Sequence, residues 1–206
     1  MTTHSVEIEL DGRTLVLETG RVAGQANGAV LARCGDTVVI ATACMSVAPR
    51  EGMNFFPLIC DYEERKYAVG KIPGGFVKRG GRPSEKAVLT SRLIDRPIRP
   101  LFPEGMRNDV QIIAMPLSME PTVPADMIAI VASSAALAIS DIPWNGPIGA
   151  VRVGRVDGRF IVNPSLEEIK ESDIELIVAG MDGRTMEIEL EADEASEDDL
   201  MAAMDV

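Results

Sequence analysis

Residues 55–105 read FFPLICDYEERKYAVGKIPGGFVKRGGRPSEKAVLTSRLIDRPIRPLFPEG. The segment opens as an apolar strand over 55–60 and passes through Asp61-Tyr62-Glu63-Glu64 into a Gly-rich basic loop. Pro83, Ser84 and Glu85 then mark a helix start with Ser84 as N-cap. Ala87, Leu89, Leu93 and Ile94 follow at helical spacing. Pro97 and Pro100 are expected to end or kink this helix, because proline lacks the amide proton and crowds the preceding turn.

Outward from this segment the pattern is mostly hairpins. Upstream, Val6, Ile8 and Leu10 alternate with acids, Asp11-Gly12 turns the chain, and a strand resumes over 15–18. Strands over 29–32 and 37–43 flank a turn at Cys34-Gly35-Asp36. Downstream, a strand over 110–117 precedes an Ala- and Ile-rich helix over 126–140. With no polar side, that helix belongs in the core. Hairpins turn at Asp157-Gly158 and Asp182-Gly183, a short helix spans 166–171, and an acid-capped helix begins at Ser196. That last helix runs to the final residue, which reads as a truncation. Antiparallel pairs outnumber βαβ units, so the expected class is α+β, a mixed sheet with helices packed on it.

Charge singles out the same central segment. Residues 65–107 carry eleven of the twenty Lys and Arg against three acids, Glu85, Asp95 and Glu104, which is +8 in a chain of net charge −12. A basic island in an acidic chain fits a localised polyanion contact and excludes indiscriminate coating of nucleic acid. Cys34, Cys44 and Cys60 have neither a disulfide nor a zinc spacing and are expected to be buried small hydrophobes in a reducing cytoplasm. His4, the only histidine, excludes His-based triads and metal sites within this chain. Neither GxxxxGK[ST] nor GxGxxG occurs, and no apolar stretch approaches the ~20 residues of a membrane span.

Within the island, four glycines in two pairs let backbone approach a phosphate, and Phe76, Lys78, Arg79 and Arg82 lie among them. Phe76 either stacks on a base or is tucked into the core. Arg92, Arg96 and Arg99 fall at i, i+4 and i+7, one helix face. Three stacked guanidiniums repel one another unless an anion lies across them. Asp95 is adjacent in sequence and expected to point elsewhere, which leaves an external polyanion or carboxylates such as Glu63, Glu64 and Glu104. Asp61, Glu63 and Glu64 read as partners of Arg65 and Lys66 before they read as a magnesium site, since only Asp61 and Glu63 share a strand face. Asp198 and Asp199 read as a solvated helix start.

Residues 55–105 closely resemble the first core domain of the bacterial polynucleotide phosphorylase family, as do LETGRVAGQANGAV, NGPIGAVRVG and ESDIELIVAG. The resemblance implies a ribonuclease PH-like α+β fold, with residues 1–206 as the first core domain and its C-terminal helix truncated. It implies a second such domain, a helical linker, and KH and OB-type RNA-binding domains elsewhere in the full-length protein, which assembles as a homotrimer around a channel. The implied activity is cytoplasmic 3′ to 5′ phosphorolysis of single-stranded RNA in mRNA degradation, alongside other RNA-degradation machinery. Inorganic phosphate is the co-substrate and Mg2+ is held by the second core domain. No catalytic or metal-binding residue is then expected in this chain. By resemblance, Phe76, Lys78 and Arg79 sit on the channel loop that grips RNA, Arg92 and Arg96 face its path, and Arg82 and Arg99 support them. The family commonly has a second aromatic where Val77 stands and an acid where Gly81 stands, which implies a weaker grip on a more basic loop. The rival reading is a non-catalytic scaffold for ring assembly, its arginines bound to neighbouring carboxylates.

Overall fold

The computed structural model describes residues 2–10, 12–76 and 79–206, and in it the turns at 35–36, 157–158 and 182–183 fall where the sequence puts them, while Asp11 of the first turn signal lies outside the described residues. Strands β1 (His4–Leu10) and β2 (Arg13–Thr19) pair antiparallel. Strands β3 (Gly28–Cys34) and β4 (Thr37–Pro49) are joined by the two residues Gly35-Asp36, with Gly35 at φ +57°, a left-handed conformation that suits glycine. The strand expected over 55–60 forms instead as β5 (Leu58–Tyr62). Pro57 has no amide proton to give the ladder, so pairing begins at its carbonyl, which accepts from the Val110 amide at 3.0 Å.

Strand β6 (Asn108–Ser118) runs parallel to β5 and antiparallel to β4, completing a six-stranded sheet of order β1-β2-β3-β4-β6-β5. This is the mixed sheet, and helix α1 (Glu85–Ile98) is the crossover between its one parallel pair. After helix α2 (Ala125–Ala138) the chain builds a second sheet, antiparallel, of order β10-β9-β7-β8. Its strands are β7 (Gly149–Val156), β8 (Arg159–Val162), β9 (Ile174–Met181) and β10 (Arg184–Ala192), with α3 (Leu166–Glu171) between β8 and β9. Helix α4 (Glu197–Met204) packs on this sheet through Ala203 and Leu200.

Helices α1 and α2 join the two sheets. Eleven of the fourteen α2 residues are buried, in keeping with an apolar helix that lacks a polar face. Ile94 and Ile98 of α1, Ile130 and Leu137 of α2, and Ile112 of β6 are almost wholly shielded from solvent, and Ile177 and Ala179 of β9 belong to the same core. Helix α1 does not stop at Pro97 but runs to Ile98, and a short 3-10 turn follows over Arg99–Leu101. Pro97 is accommodated in the last turn, where it is buried, and the Trp144 indole N–H donates to the Ile98 carbonyl at 3.0 Å. The cysteines do not share one environment: Cys34 is buried and Cys60 partly so, but Cys44 is exposed.

Gly28 lies where β3 meets α2, and a Cβ there would run into the Ala136 carbonyl of the helix backbone. Gly28→Ala is therefore expected to destabilise the fold by about 1–3 kcal/mol through overpacking, measured by urea unfolding. An unchanged midpoint would mean that α2 can shift outward.

Candidate nucleic-acid interface

Ser84 has extended backbone and its hydroxyl accepts from the Ala87 amide at 3.0 Å, which fixes where α1 begins and so where its arginines point. The basic loop precedes it. Phe76 is 103% exposed and Ile72 84%, so the core placement of Phe76 is excluded. Arg79 and Arg82 are exposed and make no ion pair among the described residues. Lys78 and Val77 lie outside the described residues. Gly80, Gly81, Arg82 and Ser84 form one wall of a cleft of about 510 Å³, and Glu63, Glu64, Arg65 and Lys66 line it as well. Glu63 pairs with Arg65 at 2.6 Å, as the spacing suggested, and Glu64 accepts from the Ser84 hydroxyl at 2.6 Å.

The arginine row of α1 is not uniform. Arg92 is exposed and has no carboxylate partner among the described residues. Arg96 donates from one terminal nitrogen to both Glu187 and Glu189 of β10. Arg99 forks onto Asp95 through Nε and a terminal nitrogen. It also reaches the Leu58 carbonyl at 3.2 Å and lies over the Phe56 ring, 5.9 Å from the centroid. The expectation that Asp95 points elsewhere is corrected: adjacent to Arg96 but four residues before Arg99, it faces Arg99 at helical spacing. Glu63, Glu64 and Glu104 do not neutralise the row. Asp95, Glu187 and Glu189 take that place for two of its three members.

A β-bulge aims the two β10 carboxylates. Thr185 pairs with Gly180 but Glu187 pairs with Ala179, so Met186 is the extra residue and every later side chain is turned to the opposite face. Glu187 and Glu189 then lie opposite Ala179 and Ile177, on the face that belongs to the core shared with α1. Hydrogen bonding to Glu187 is the main cause holding the Arg96 guanidinium above its ordinary high range, and Asp95 does the same for Arg99.

Arg92, Arg96, Arg99, Ser91, Asp95 and Cys60 enclose a second cleft of about 230 Å³. Burial, more than the nearby Asp95, pushes the Cys60 thiol well up despite Arg99, so it offers no thiolate nucleophile. Among the described residues no three His, Cys, Asp or Glu side chains group as metal ligands. No helix among them is long and apolar enough to cross a membrane. The arrangement presents an exposed aromatic ring beside guanidiniums, unpaired among the described residues, on a loop and a helix face.

Two charged centres escaped the sequence reading. Arg152 of β7 is buried against Asp126 of α2, with hydrogen bonds of 2.9 and 3.3 Å, and its Nε lies 2.9 Å from Glu175 but off the hydrogen-bond axis. Arg155 joins Asp173 to Asp199 at the start of α4, so Asp199 is an ion-pair and capping residue as well as a helix-start acid.

Comparison with known proteins accounts for both halves of this architecture. Residues 11–143 match the model of the 3′ exoribonuclease family, domain 1, and residues 146–206 match that of its domain 2. Among curated proteins, the polyribonucleotide nucleotidyltransferase of Heliobacterium modesticaldum is 57% identical over 197 residues, 96% of this chain and 28% of the relative. That of Halalkalibacterium halodurans is 55% identical over 201 residues, 98% of this chain and 28% of the relative. The chain thus spans little more than a quarter of the length of these relatives. The crystal structure of rice Rrp46 shares the fold, with a TM-score of 0.69 over 99% of this chain and 86% of that one, at 15% identity. With each half matched by its own domain model and most residues shared with those relatives, the chain belongs to the 3′ exoribonuclease family.

Proposed function

We propose that this chain is the RNA-positioning first core domain of a phosphate-dependent 3′ to 5′ exoribonuclease that degrades single-stranded RNA to nucleoside diphosphates in mRNA turnover. The observation that carries the reading is Phe76, fully exposed in a Gly-rich loop and followed by Arg79 and Arg82, which no described carboxylate neutralises. Phe76 supplies a stacking face, Arg79, Arg92 and Arg96 supply phosphate contacts, and Arg82 and Arg99 support them. Lys78 belongs to the same loop by sequence.

In the full-length protein, a homotrimeric cytoplasmic ring working with other RNA-degradation machinery, inorganic phosphate is the co-substrate and Mg2+ supplies charge neutralisation at the transferred phosphoryl group. The described residues of this chain do not group as ligands for that ion. What this chain contributes is binding and orientation of the strand, by which a reactive end is held in line for attack elsewhere.

A purified 206-residue chain should bind a short oligoadenylate in a salt-dependent way and release no nucleoside diphosphate from poly(A) with phosphate present. Phosphate-dependent release would overturn the assignment of catalysis to another domain. The occupied state of Arg96 and Arg99 favours a second reading, ring scaffolding. Charge reversal of Arg92 and Arg96 in the full-length protein separates the two. Lost RNA affinity in an intact ring supports positioning, whereas unchanged affinity with failed assembly supports scaffolding.

A further inference from the structure

The two carboxylates on Arg96 are not equivalent. Glu187 has 11% of its side chain exposed and Glu189 41%, with Arg96 itself at 43%. The bulge at Met186 turns both toward α1, but only Glu189 also lines the groove of about 500 Å³ between α1 and the β9–β10 edge. Glu189 therefore has open space to turn into, and Glu187 does not. Both bind the same terminal nitrogen of Arg96, and neither engages its Nε or its other terminal nitrogen. A guanidinium has five donors, so a bidentate edge remains for another anion. Arg92, one turn earlier and without a carboxylate of its own among the described residues, shares the 230 Å³ cleft with it.

We propose that Glu189 is an exchangeable stand-in for an RNA phosphate on Arg96, and that Glu187 is the positioning residue that keeps Arg96 aimed into the row while the exchange takes place. This rests on the reading of the row as an RNA surface. One guanidinium between two carboxylates leaves a local charge of −1, which opposes an incoming phosphate. With Glu189 swung into the groove, Arg96 and Glu187 are neutral between them, so the cluster that includes Arg92 moves from neutral to a single positive charge. Ion pairs at half-exposed positions are weak enough to be swapped for a better anion, whereas a nearly buried carboxylate such as Glu187 is costly to leave unpaired. The two acids thus set affinity in opposite directions: Glu189 lowers it and Glu187 sustains it.

The test compares E189Q, E187Q and R92A with the unmodified chain, by fluorescence anisotropy of a labelled oligoadenylate at low and high salt and by thermal melting. E189Q is expected to bind roughly two- to fivefold more tightly with an unchanged melting temperature. Its advantage should shrink at high salt, where exposed charges are screened. E187Q is expected to bind more weakly and to melt earlier, and adding R96Q to E189Q should abolish the gain. If E189Q binds equally or less tightly while R92A still weakens binding, the exchange is wrong and the RNA surface stands. If E187Q tightens binding as E189Q does, the division of roles is wrong. If no protein in the set binds the oligonucleotide, both the surface and the exchange fall.

Discussion

Arg152→Met is expected to lower folding stability by about 3–5 kcal/mol at neutral pH, because it leaves the Asp126 carboxylate buried without its main partner. Asp126 is 3% exposed and Arg152 6%, and the pair ties α2 to β7, that is, the helix layer to the second sheet. Burial alone would raise the Asp126 carboxyl, but the charge and hydrogen bonds of Arg152 overcome it and hold the group below the usual carboxylate range. With its folded value depressed, Asp126 contributes stability above its unfolded value of about 3.9, and that contribution is lost as pH falls through the folded value.

In Arg152→Met the sign reverses, since burial, the largest influence on Asp126, then outweighs what Lys86 and the Met127 amide supply, and the folded value rises above the unfolded one. The variant's penalty is then full at neutral pH and fades as pH falls toward the unfolded value. Urea unfolding from pH 7 to pH 4 should therefore show the gap between the two proteins narrowing. Adding Asp126→Asn should recover much of the loss at pH 7. A gap independent of pH would mean that packing, not charge, holds this joint.

The pattern of local elements was legible because each is written in contiguous residues. Ser84 with Pro83 and Glu85 marks a helix start by itself, and the helix begins at Glu85. Asp157-Gly158 and Asp182-Gly183 mark turns by themselves, and both hairpins form. What escaped is nonlocal. Arg96 and Glu187 are 91 positions apart, and the face Glu187 occupies depends on a bulge at Met186 that strand periodicity alone does not reveal. A strict alternation would have put Met186 and Ile188 toward α1. The Arg152–Asp126 pair left a fainter trace: a single base inside the apolar run 148–153 and a single acid opening an otherwise apolar helix. Each is anomalous in its own element, and charges at such places are seldom buried unless paired. Asp95 was misplaced for a simpler reason. Neighbours in a helix diverge, but residues four apart meet, and the relevant neighbour was Arg99 and not Arg96.

Phe76→Ala is expected to weaken single-stranded RNA binding by about 1–3 kcal/mol, roughly five- to 150-fold, while leaving folding stability unchanged. The separation follows from exposure. At 103% the ring is shielded by nothing in the described fold, so its removal opens no cavity and unfolds no contact. Gly74 and Gly75 precede it, and Gly75 sits at φ +82°, so a left-handed turn carries the ring outward with Arg79 close behind. A phenyl ring held in water is unfavourable unless a partner covers it, and a base covers it without regard to sequence. Phe76→Trp should keep or raise the affinity, and Phe76→Leu should fall between tryptophan and alanine, because area is retained while the aromatic face is lost. Anisotropy titrations at fixed salt across oligo(A), oligo(U) and oligo(C) would show the loss in all three if stacking is the contact. A loss confined to one base would indicate edge recognition instead, and unchanged affinity throughout would remove Phe76 from the RNA path and leave the arginines as its only claim.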